Sequence, residues 1–191
     1  MQHQILKLGF IAGLLLPGHA HATLFDRGGG LIYDDVLDIT WLQDANYAAT
    51  SGWAAANIVD NGISATNNIF ADGRMGWNAA EAWADQLLYG GHDDWRLPTL
   101  GPLNGSTFNT SWSNNATTDQ GFAKTSTDGS NGGWRDASGN PVSEMGHMYY
   151  VNLGNLGFCT PNDANPGNCA SQTGFGLTNT GLFNNLQSSS Y

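Results

Sequence analysis

The chain has 191 residues, 40% of them hydrophobic and only 12% charged, and its formal net charge is −10. That length suits one domain with a real core and is short for two. Its few cations are scattered in sequence, so no basic stretch offsets the acidity, and neither nucleic acid nor anionic lipid is an expected partner.

The first predicted element is a leader. Lys7 precedes the apolar run LGFIAGLLL and then PGHAHA, with Ala20 and Ala22 at the small positions before a cut. This order matches a secretory signal peptide, whose apolar core is too short to span a bilayer as a mature helix. Residues 1–22 are expected to be removed. Residues 23–191 then form the domain, with five cations against sixteen carboxylates, or −11. The product is expected to be secreted, to the periplasm or beyond, with no membrane anchor in this chain.

Leu31-Ile32-Tyr33 and Ile39-Thr40-Trp41-Leu42 are strand signals on either side of the turn-prone DDVLD, and they predict a hairpin. Residues 48–72 are small, polar and Asn-rich, which predicts loop with a helical turn near Ala54–Val59. In WNAAEAWADQLLYGG, residues 77–91, Trp77, Ala80, Ala84, Leu87 and Leu88 recur at helical spacing and Trp83 widens the stripe. Asn78 and Glu81 could cap that helix, and Gly90-Gly91 could stop it. Glu81 and Asp85 lie one turn apart, as like charges on a solvated face do.

The stretch GGHDDWRLPT raises the choice between a charged site and framework. Trp95 and Leu97 alternate around Arg96 as a short strand that Pro98 ends. Arg96 is then a fork donor to carboxylates or carbonyls, with Asp93 or Asp94 as candidate partners. Trp41, Trp77, Trp83, Trp95, Arg96 and Pro98 are therefore read as structural.

Residues 101–142 are rich in Gly, Asn, Ser and Thr without an apolar period, and form a functional surface loop or an insertion. Trp112 and Trp134 lie there. Their rings could stack on sugars while Asn131 and Asp136 bind hydroxyls, or they could anchor the loop to the core. Asp128, Asn131, Asp136, Asn140 and Glu144 crowd oxygen ligands into the same region, but Asn- and Asp-rich loops are more often simply solvated, so no cofactor is expected and calcium is the one candidate. Met148–Leu153 is the strongest strand signal of the second half. On a strand, Glu144 and His147 would face opposite ways.

Cys159 and Cys169, close together in an exported chain, are expected to form a disulfide worth about 2–3 kcal/mol. A metal site or redox pair fits less well, because the spacing is neither C-x-x-C nor a zinc pattern. Beyond residue 22 only His92 and His147 remain, and no HExxH, GxSxG or phosphate-binding glycine loop is present, so no enzyme is expected.

Four segments, DRGGGLIYDDVLDITWLQDANYA, DGRMGWNAAEAWADQLLYGGHDDWRLPT, SEMGHMYYVNLGN and GFGLTNTGLFNNLQSSSY, together resemble the Lcl C-terminal domain family of exported bacterial proteins, and most closely its PEP-CTERM-associated members. WRLPT is also similar to the Arg-Leu-Pro-Thr segment of formylglycine-generating domains. That likeness implies an α+β, C-type-lectin-like fold. It does not bring the activity with it, since Cys159 and Cys169 do not match the reactive pair in context. The resemblance implies a non-catalytic surface module binding polysaccharide or extracellular matrix, and the acidity points to a neutral glycan. The alternative is a structural matrix component, or an inactive truncated fragment, without a specific ligand. Relatives continue past the position of Tyr191 into a Trp-rich strand, so an unpaired sheet edge is also expected, and after Thr99 they enter a helix where this chain has LGPLNGS.

Overall fold

A computed structural model of the chain describes residues 23–62, 65–113, 119–121, 136, 138–157 and 173–187. The architecture is mixed α+β. Strands β1 (Leu24–Asp26), β2 (Leu31–Asp34) and β3 (Ile39–Leu42) form an antiparallel sheet in the order β1-β2-β3. The expected hairpin is present, with Ile32 opposite Trp41 and Tyr33 opposite Thr40. Its turn is built on Asp34, which is fully buried. One carboxylate oxygen accepts from the N–H groups of Val36 and Leu37, each at 3.1 Å. The other accepts from Asn152 Nδ2 at 2.7 Å and so ties the hairpin to the second half of the chain.

Two short helices follow, α1 (Tyr47–Thr50) and α2 (Trp53–Ala56), the second where a helical turn is predicted. The main helix α3 spans Trp77–Gln86, shorter than the predicted 77–91. Its buried face is Ala79 and Ala84 with half-buried Trp83, so the apolar stripe is rotated relative to the sequence reading, and Trp77 is 60% exposed rather than a core anchor. The Asn78–Glu81 cap does not form. Gly76 precedes the helix, and Asn78 Nδ2 bonds Thr66 Oγ1 at 3.1 Å instead. The backbone becomes extended at Leu87, so Gly90 and Gly91 do not stop the helix. Their left-handed φ values of 62° and 84° make the tight turn that joins Tyr89 to His92.

The strand expected over Met148–Leu153 is not a strand. Ser143 caps a helical turn, α4 (Glu144–His147), by accepting from Gly146 N–H at 2.9 Å, and the chain continues as a π-helical turn over Met148–Asn152. Burial against the sheet outweighs the β-propensity of Tyr149-Tyr150-Val151, because helical geometry places Met148 and Leu153 on Ile32 and Phe183 in one core cluster. A second cluster joins Ala48, Ala54, Ile69 and Ala79 under Trp53 and Trp83. The polar stretch contributes a parallel pair of two-residue strands, β4 (Trp112–Ser113) and β5 (Gln120–Gly121).

Candidate functional site

The sheet, the segment after α3 and helix α4 meet at a seam. On one side of it lies a cleft of about 390 Å³, lined by Arg27, Tyr33, Asp38 and Trp41 from the hairpin and by His92, Asp94, Trp95 and Arg96 from the GGHDDWRLPT stretch, with Glu144 at its margin. A smaller apolar hollow of about 210 Å³ adjoins it, bounded by Leu42, Trp83, Leu87, Met145, Met148 and Phe183. Thr40, Trp41, Trp95, Arg96 and Pro98 line both.

Alternation along β2 buries Ile32 and Asp34 and leaves Tyr33 half-buried at the cleft. The Tyr33 hydroxyl donates to Asp38 Oδ1 at 2.7 Å, and the Arg27 guanidinium lies 3.7 Å above the ring centroid. The bond to Asp38, helped by burial, raises the Tyr33 pKa above its ordinary value. Trp95 is held edge-on to Tyr89 at 6.1 Å, and its indole N–H donates to the His92 carbonyl at 3.2 Å. Trp41 Nε1 is buried without a hydrogen-bond partner among the described residues.

Arg96 is the framework of the seam, but its partner is neither Asp93 nor Asp94. It forks onto Glu144 with two bonds of 2.7 Å, and Nη1 also donates to the Leu97 carbonyl at 3.0 Å. Glu144 Oε2 further accepts from Thr99 N–H at 2.7 Å. Burial opposes ionisation of Glu144, yet the bonds from Arg96 and Thr99 outweigh it and hold the carboxyl below its ordinary pKa. The sequence could not name this partner, since 48 residues separate the two and a helical turn stands where a strand is predicted.

The calcium grouping is not assembled among the described residues. Glu144 is taken by Arg96, while Asp136 accepts from the N–H groups of Ser138 and Asn140 and from Asn140 Nδ2, closing a local turn. No group of three or more His, Cys, Asp or Glu suited to a metal occurs among the described residues. Asp128, Asn131, Trp134, Cys159 and Cys169 lie outside the described residues, and Trp112 is placed only as part of β4. His147 is buried and Glu144 lines the cleft, one helical turn apart rather than across a strand. Sequence marks Tyr33 only as a strand residue and does not single out Arg27 or Asp38, which border the two turns of the sheet. The grouping exists only once the hairpin closes.

Comparison with family models, curated proteins and solved structures finds no match to this chain. Among the described residues, no helix is long and apolar enough to cross a membrane. Fold and site together define a mixed α+β domain with an aromatic and carboxylate-lined cleft at the edge of a small sheet.

Proposed function

We propose that this is an exported, non-catalytic module, C-type-lectin-like in arrangement and related to the Lcl C-terminal domain, whose cleft binds a neutral polysaccharide. One observation carries the reading: Tyr33, Trp41 and Trp95 share a 390 Å³ cleft with Arg27, Asp38, Asp94 and His92. Aromatic faces suit the apolar faces of sugar rings, and charged side chains around them suit hydroxyl groups. The volume lies in the range of small-ligand sites. On this reading the ligand sits at the hairpin rather than at Trp112 and Trp134.

Affinity electrophoresis against a panel of neutral polysaccharides tests the proposal, with hits measured by calorimetry on defined oligosaccharides. Asp94→Ala changes a side chain that is 88% exposed, so it should leave the fold intact. It and Tyr33→Ala should each weaken binding, while Trp112→Ala and Trp134→Ala should not. Retention lost only in the last two variants would return the site to the polar loop, and no retention on any polysaccharide would refute the function.

A further inference from the structure

A second space adjoins the cleft. It is a groove of about 790 Å³ lined by helix α3 and by residues 95–100, and Trp95, Arg96 and Pro98 line both the groove and the cleft. From α3 it takes Trp77, Glu81 and Asp85, which recur at one-turn steps and so form a row along the helix. Nothing in the fold accounts for that row. Trp77 and Leu100, both in the groove, are each more than half exposed, although burial of either would stabilise the domain. Glu81 and Asp85 are exposed, and neither is hydrogen-bonded or ion-paired among the described residues. As like charges one turn apart they weaken the helix slightly.

We propose that the polysaccharide bound in the cleft continues into this groove, where Trp77, Glu81 and Asp85 form a second subsite for further units of the same chain; the inference rests on the glycan reading above. The Trp77 ring offers a flat apolar platform to the face of a sugar ring, and the two carboxylates accept hydrogen bonds from its hydroxyl groups. A protein partner suits the groove less well. Interface cores are depleted of charge, whereas two carboxylates stand in line with this exposed ring, and sugar hydroxyls satisfy them without a countercharge. Arg96 is neutralised by Glu144, so the groove is acidic on balance and turns away uronic or sulfated units. The ligand is a run of uncharged sugars held along its length rather than a single terminal sugar.

The test is calorimetric titration of the full chain with cello- and malto-oligosaccharides from disaccharide to octasaccharide, and with fragments of the same lengths from any neutral polysaccharide it retains. Affinity should rise with length, by about tenfold between the shortest and the longest fragments bound. Trp77→Ala should remove that rise while leaving the shortest bound fragment and the thermal melt unchanged, because the ring is largely exposed. Glu81→Ala combined with Asp85→Ala should likewise weaken the long fragments alone, whereas Asp94→Ala in the cleft should weaken fragments of every length. Affinity independent of length, or a rise that survives Trp77→Ala, would overturn this inference and leave the cleft reading standing. Equal weakening of short and long fragments by Trp77→Ala would make the ring structural and overturn it as well. Dimerisation of the free chain in sedimentation, abolished by Trp77→Ala, would assign the groove to a second copy instead. Retention of no polysaccharide would overturn both readings together.

Discussion

Asp34 and Arg96 show how much rests on single polar side chains in a domain with two small apolar clusters. Asp34 is wholly buried and accepts three hydrogen bonds, so Asp34→Ala strands the Asn152 amide and two N–H groups at once. The expected loss is about 3 kcal/mol or more, read from urea denaturation midpoints. Arg96 is half exposed, which tempers the value of its pair with Glu144. Arg96→Lys keeps the charge but loses the fork and should cost about 1 kcal/mol, with Arg96→Ala costing more because Glu144 is then left unpaired. Equal stability of both variants and the parent would show that the ion pair is incidental. Composition and spacing revealed that Arg96 would act as a fork donor. They did not reveal Asp34 as a buried hub, because an aspartate in DDVLD reads as a solvated turn residue.

The main helix illustrates how an element can be legible while its ends and face are not. Helical spacing located α3, yet several apolar residues recur at similar intervals, and periodicity alone does not choose which stripe is buried. Packing chooses Ala79 and Ala84, because small residues let the helix approach its neighbours, and Trp77 is left exposed. The approach is tight at Gly76, just before the helix, where an added Cβ would lie 2.5 Å from the Thr66 carbonyl carbon and oxygen. Its φ of −68° is open to any residue, so the constraint is space and not conformation. Gly76→Ala should therefore cost about 1–3 kcal/mol in a thermal or urea melt, whereas Ala82→Gly on the exposed face should cost about 1 kcal/mol through helix propensity alone. A neutral Gly76→Ala would mean that Ala65 and Thr66 yield freely.

At the scale of the whole molecule, carboxylates join parts of the chain that are distant in sequence. Asp44 is opposed by burial but receives bonds from Thr50, Asn185 and the Asn46 N–H, which together hold its pKa below the ordinary value. Glu144 is likewise lowered and links α4 to Arg96 and Thr99. A carboxylate with a depressed folded pKa contributes its full stability above the unfolded value of about 4, and loses it as pH falls through the folded value. The melting temperature should therefore be nearly level from about pH 7 to 5 and fall below about pH 4. Glu144→Gln should start lower at neutral pH and show a shallower acid decline, and an unchanged slope would assign the acid sensitivity to other carboxylates.

The sequence by itself determined the hairpin, the existence of α3 and the character of the Arg96 contact, because alternation, helical spacing and side-chain chemistry are local properties. Residues 101–142 lacked any period and conveyed only their polarity. Tertiary structure alone decided that Glu144 answers Arg96, that Met148–Asn152 coils instead of extending, and that Tyr33, Trp41 and Trp95 share a cleft. Each of those outcomes depends on which distant segment supplies a partner or covers an apolar face, and a one-dimensional pattern does not carry that information.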